Sequence, residues 1–170
     1  SVSNTARWLF GIWGSGPADV WAVGQLGTIL HWNGAIWTAT PSGATQHLYA
    51  VWGTGPSDVW AVGEGGTILH WDGTGWAASA SGTTTELLSI WGSGPNDVWS
   101  AGGAGTVRHW NGTGWTASVS GATEWLYGVW GSGPGDVWIL EAGGTIRHWD
   151  GSGWSTSASG TTQTLMGVWG

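Results

Sequence analysis

A hydrophobic–Trp–Gly motif returns at one fixed interval along this chain. It stands at Ile12-Trp13-Gly14, Val51-Trp52-Gly53, Ile90-Trp91-Gly92, Val129-Trp130-Gly131 and Val168-Trp169-Gly170, a step of 39 residues each time (13, 52, 91, 130, 169). Three further series keep the same step: Trp21, Trp60, Trp99, Trp138; Trp32, Trp71, Trp110, Trp149; and Trp37, Trp76, Trp115, Trp154. Five, four, four and four make 17 of the 19 tryptophans. Only Trp8 and Trp125 stand outside the pattern. A period of this length with no insertion or deletion is the mark of a repeat architecture.

Each repeat holds four short β-like runs. In the second copy they are strand A (Leu48-Tyr49-Ala50-Val51-Trp52), strand B (Asp58-Val59-Trp60-Ala61-Val62), strand C (Thr67-Ile68-Leu69-His70-Trp71) and strand D (Trp76-Ala77-Ala78-Ser79). They are rich in β-branched and aromatic residues and bounded by Gly, Pro, Asp and Asn. The link Asp72-Gly73-Thr74-Gly75 carries a hairpin signal. Links this short cannot cross between parallel neighbours, so a parallel solenoid is excluded. Four hairpin-linked strands per 39 residues predict an all-β fold, a β-propeller of four-stranded antiparallel blades. One strand A position is always small (Gly11, Ala50, Ser89, Gly128, Gly167), as an innermost strand crowding a ring axis requires.

The predicted division is a partial repeat over 1–8, repeats over 9–47, 48–86, 87–125 and 126–164, and an extra strand A over 165–170. Rings usually have more than four blades. The array is therefore expected either to belong to a longer ring or to assemble, as a homodimer completing a ring of about eight blades.

Charge narrows the partners. Ten acidic residues face only Arg7, Arg108 and Arg147, for a net charge of −7. Nucleic-acid binding needs a basic face, and none is present. Anionic membrane surfaces are disfavoured for the same reason, and no apolar run is long enough for membrane insertion as a helix. There is no cysteine for a disulfide.

The repeated polar residues are read as framework. Asp19, Asp58, Asp97 and Asp136 stand one per Gly-rich loop, whereas calcium asks for six or more oxygens. They are expected to accept backbone N–H bonds in a turn. His31, His70, His109 and His148 lie one per blade, too far apart to share a metal. Leu30, Leu69, Arg108 and Arg147 share one strand C position, which predicts a site that is partly exposed or lets Arg snorkel. No convergent catalytic set, metal cluster or cofactor motif is found, and the chain is read as no enzyme.

The copies differ most at the ends of the D–A loops (Arg7-Trp8, Gln46-His47, Thr85-Glu86, Glu124-Trp125, Gln163-Thr164) and in the B–C loops (Gln25-Leu26, Glu64-Gly65, Gly103-Ala104, Ala142-Gly143). In an up-and-down blade both loops emerge at one end, so the variable positions are expected on a single rim. Trp8 and Trp125 offer aromatic faces there, suited to the C–H face of a sugar. The candidate carbohydrate contacts are Trp8, Gln46, His47, Glu64, Glu86, Glu124 and Trp125.

The run Leu48-x-x-Val51-Trp52-Gly53, Asp58-Val59-Trp60-Ala61-Val62-Gly63 and Gly66-Thr67-Ile68-Leu69-His70-Trp71-Asp72-Gly73-Thr74-Gly75-Trp76 resembles tectonin-type propeller repeats. It is also similar to Trp-rich propeller arrays of bacterial surface proteins. The resemblance covers the whole chain and rests on framework positions, Trp52, Trp60, Trp71, Trp76 and their copies. Tectonin and tachylectin propellers are lectins. The resemblance thus implies a multivalent glycan-binding module, extracellular or at a cell surface, with avidity from repeated shallow sites. The alternative is a structural or protein-interaction scaffold with no small ligand, including a recently amplified or designed self-assembling propeller.

Overall fold

The computed structural model describes residues 5–170. Of the partial repeat expected over 1–8, residues 1–4 lie outside the described part. Blade 1 is β1 (Leu9–Gly16), β2 (Asp19–Gly24), β3 (Ile29–Trp32) and β4 (Trp37–Ala39). Blade 2 is β5 (Leu48–Gly55), β6 (Asp58–Gly63), β7 (Ile68–Trp71) and β8 (Trp76–Ala78). Blade 3 is β9 (Leu87–Gly94), β10 (Asp97–Gly102), β11 (Val107–Trp110) and β12 (Trp115–Ala117). Blade 4 is β13 (Leu126–Gly133), β14 (Asp136–Glu141), β15 (Thr145–Trp149) and β16 (Trp154–Ala158). Each is an antiparallel sheet in sequential order, the propeller blade that the period predicts.

The first strand is longer than its hydrophobic core indicates. β5 continues through Gly53-Thr54-Gly55 and pairs Gly55 with Asp58, so only Pro56 and Ser57 make the turn. Proline presets φ there. The strand C tryptophan then fastens this turn: Trp71 Nε1 donates to the Pro56 carbonyl at 3.1 Å, and Trp32 and Trp110 do the same with Pro17 and Pro95. The C–D turn closes on Asp72, whose Oδ1 accepts from the Thr74 N–H, the Thr74 hydroxyl and the Gly75 N–H.

Blades stack face to face through tryptophan. Trp21 of β2 is 1% exposed and meets Trp71 and Trp76 of blade 2, with centroids 5.0 and 5.3 Å apart. Trp60 meets Trp110 and Trp115 in the same way, and Trp99 meets Trp149 and Trp154. One apolar cluster fills each junction; the first joins Trp21, Val23 and Ile29 to Leu48, Val51 and Val59. A buried indole removes about 200 Å² from water, about 5 kcal/mol at the usual coefficient and before ordering entropy is subtracted.

The inner strands approach backbone to backbone. A Cβ on Gly11 would stand 2.9 Å from Ala50 Cα and 2.9 Å from the Tyr49 carbonyl oxygen. This is the physical reason for the small residue at that strand position.

The stack is an arc. Among the described residues no packing like that between β1 and β5 joins blades 1 and 4. Ile12 is 68% exposed, whereas its counterparts Val51, Ile90 and Val129 are buried. Residues 165–170 form no hydrogen-bonded strand, yet Gly170 lies against Trp130 as Gly53 lies against Trp13. Trp130 Nε1 also donates to the Gly170 carbonyl at 3.1 Å.

Candidate functional site

The repeated polar residues serve the framework. In blade 2 the Asp58 carboxylate accepts from the Thr54 hydroxyl, from Trp60 Nε1 at 3.1 Å and from His70 Nε2 at 2.7 Å. The imidazole also stacks on Trp60, centroids 4.0 Å apart. Blades 3 and 4 repeat the set with Ser93, Asp97, Trp99, His109 and with Ser132, Asp136, Trp138, His148. Blade 1 keeps the bonds of Ser15 and His31 to Asp19. The aspartates were expected to accept backbone N–H groups. They gather side-chain donors instead, because the preceding strand brings Ser or Thr beside them and strand C brings the histidine. Burial by itself would raise the Asp97 carboxyl, but bonds from His109 and Ser93 outweigh it and hold it below the usual carboxylate range.

The Leu/Arg position divides between its copies: Arg108 and Arg147 are half-buried, as expected, whereas the leucines are not. Leu30 and Leu69 are 4% and 3% exposed, so where the side chain is apolar the position packs into the blade junction. Arg147 bonds Glu141 Oε2 at 2.8 Å from Nε and the Ser120 carbonyl at 2.9 Å from Nη1. Glu141 is itself 4% exposed. Its carboxyl would be raised by burial, but Arg147 and the Glu124 and Thr123 N–H groups outweigh this and lower it.

The variable loops do meet on one rim. Each B–C loop is a 3-10 turn (Gln25–Gly27, Glu64–Gly66, Gly103–Gly105, Ala142–Gly144). Each takes a backbone bond from its N–H to the D–A loop before its blade: Gln25 to Trp8, Glu64 to His47, Gly103 to Glu86, Ala142 to Trp125. The next D–A loop is tied in as well, with Gly27 N–H donating to Gln46 and Gly105 N–H to Glu124. Leu26 and Ala104 hold φ near +50° in these turns (52° and 49°), a left-handed conformation that costs a non-glycine residue about 1 kcal/mol.

The rim gathers some of the candidate residues and separates others. The His47 N–H donates to Glu64 Oε2, and His47 Nδ1 accepts from the Leu26 N–H. Glu64 and Glu86 both face Tyr49: burial first, then these two charges, raise its hydroxyl. Phe10 stands 5.7 Å from Tyr49 and 6.2 Å from His47, centroid to centroid. Gln46 and Glu124 are exposed on their loops. Trp8, 71% exposed, is held by Gln25 of blade 1, whereas Trp125 is tied to blade 4 and lies over Gly103 of blade 3. The two extra tryptophans thus share no site. Tyr49 and Phe10 were missed from sequence, although their position varies (Phe10, Tyr49, Leu88, Tyr127, Met166) within an otherwise constant strand.

Among solved structures, the chain is similar to YCF48 bound to D1 peptide, with 18% identity and a TM-score of 0.74 over 97% of this chain. It is also similar to YCF48 from Cyanidioschyzon merolae, with 19% identity and a TM-score of 0.71 over 96%. It spans 58% and 60% of those chains. No protein-family model and no curated protein matches it. At such identities the likeness shows the fold, a β-propeller repeat. Neither neighbour is a tectonin or tachylectin, and the expected membership of that family is not supported.

Proposed function

We propose that this chain is a non-enzymatic protein-interaction propeller that holds a peptide segment on the rim where the B–C and D–A loops meet. One observation carries the reading: constant polar residues are spent inside the blades, while the variable residues converge on this rim. Rigid blades presenting variable loops are a common platform for recognition. A structural neighbour of the same fold is bound to a peptide, which supports a peptide over a sugar as the ligand class here. The test presents the 170-residue chain in parallel to a random peptide array and a glycan array. Peptide hits that weaken when Tyr49, Glu64 and Glu86 are replaced by alanine support the reading. Glycan hits without peptide hits overturn it.

The assembly proposal rests on the blade junction. Trp138 of blade 4 is more exposed than Trp21, Trp60 and Trp99, and among the described residues no tryptophan pair stacks on it. The Trp32–Trp37 pair of blade 1 lacks the indole that Trp71–Trp76 receives from Trp21. These are the two halves of one contact. Their complementarity supports closure by further blades of the same kind, and a second copy supplies them. Light scattering should give twice the chain mass for the dimer, and a monomer would end that proposal.

A further inference from the structure

Between successive blades runs a cleft bounded by the D–A loop of one blade and strands C and D of the next. The cleft at blade 2 has a volume of about 970 Å³ and is lined by Ser42, Gly43, Leu69 and Trp76 among others. The equivalent at blade 3, lined by Arg108, holds about 300 Å³, and the one at blade 1, lined by Arg7, holds about 440 Å³. Between blades 2 and 3 the difference tracks one position; blade 1 keeps a leucine there, Leu30, and its cleft is lined instead by Arg7 of the preceding loop. Where blade 2 has Leu69, blades 3 and 4 have Arg108 and Arg147, and each guanidinium reaches back to the preceding loop.

Three equivalent glycines measure the space. A Cβ on Gly82 would lie 2.6 Å from Arg108 Nη2, and one on Gly121 would lie 3.3 Å from Arg147 Nη1. A Cβ on Gly43, the counterpart at blade 2, meets nothing within 4 Å. The acceptors for a guanidinium are nonetheless in place. Arg108 donates from Nη2 to the Trp115 carbonyl at 3.2 Å, and Arg147 donates to the Ser120 carbonyl at 2.9 Å. Their counterparts, Trp76 and Ser42, both line the blade 2 cleft. The position of Glu141 is Gly102 in blade 3, so Arg108 keeps its carbonyl bond while its buried Nε has no partner among the described residues. All three arginines of the chain thus stand at a cleft of this series, and among the described residues the widest one has none.

We propose that the Leu69 cleft receives an arginine side chain from a peptide partner, its guanidinium taking the place that Arg108 and Arg147 fill in the next two blades. Guanidinium is planar, weakly hydrated and able to donate to several carbonyls at once, and the counterparts of the carbonyls used by Arg108 and Arg147, those of Trp76 and Ser42, belong to residues lining this cleft. The net charge of −7 draws a cation toward it. Gln46, at the mouth, connects the cleft to the rim, so the inference rests on the peptide-binding reading and names its anchor.

The test is a titration of the full chain with acetyl-Gly-Arg-Gly-amide, followed by the methyl resonances of Leu69 and the indole resonance of Trp76. Both should shift saturably. The citrulline and lysine versions should bind at least about tenfold more weakly. Leu69→Arg should fill the cleft from within and abolish the response, and Arg108→Leu should open a second site. If Leu69→Arg does not fold, the wild-type resonances and Arg108→Leu still decide. No saturable shift at Leu69, equal binding of citrulline, or undiminished binding by a folded Leu69→Arg chain overturns the inference. Array peptides that bind without arginine overturn it alone and leave the peptide-binding reading standing.

Discussion

His70 Nε2 lies 2.7 Å from Asp58 Oδ1 while its ring stacks on Trp60 at 4.0 Å, so one carboxylate ties strand C to strand B beneath the blade junction. Asp58→Ala leaves the part-buried donors of Trp60 and His70 without their acceptor, while the exposed Thr54 hydroxyl turns to water. The expected loss is about 1–3 kcal/mol, read from the urea midpoint at unchanged slope. A loss within about 0.5 kcal/mol, ordinary for a surface change, would show that the network is ornamental.

Acid should weaken the fold through the same groups. Asp97, Asp136 and Glu141 are all held below their ordinary carboxyl values, Asp136 mainly by the Ser132 hydroxyl and His148. A carboxyl lowered by folding binds protons more readily in the unfolded chain, so its contribution is full above the unfolded value of about 4. It is lost as pH falls through the folded values below that. Urea midpoints should therefore drop steadily from about pH 4 downward. A level or rising midpoint over that range contradicts the assignment.

Close packing at the junction predicts a contrast between two glycines of one strand. A Cβ on Gly92 would stand 2.6 Å from both the Asp97 carbonyl oxygen and the Trp52 ring, whereas one on Gly94 meets nothing within 4 Å. Gly92→Ala should cost about 1–3 kcal/mol, the usual range for overpacking. Gly94→Ala should be nearly neutral. Equal effects in thermal melts would mean that the blades can slide apart to admit a methyl group.

Glu141 and Arg147 form a pair that the other blades do without. Arg147→Leu leaves a carboxylate buried without its partner and should cost about 3–5 kcal/mol. Adding Glu141→Gly recreates the Gly63 and Leu69 combination of blade 2 and should recover most of the loss. A double-mutant cycle reads the coupling directly. If the double variant is no more stable than Arg147→Leu, the pair is not the unit described.

Much of this architecture was legible because repetition multiplies each signal. The tryptophan series marked the strands four times over, and the small residues at Gly11 and its copies marked the innermost strand. The variable loops were correctly expected on one rim, since strand alternation alone dictates which loops share an end. The role of the aspartates was not legible. Their partners sit four and twelve residues away (Ser15 and His31 for Asp19), and only the folded hairpins bring them together.

Period, strand order and blade class were thus determined by the chain itself, since they depend on local alternation and turn chemistry that every copy repeats. The blade 2 cleft was decided by tertiary structure alone. In sequence, Leu69 and Arg108 are two variants of one strand position. In the fold that position faces the preceding blade, where Arg108 reaches into the space that Leu69 leaves open.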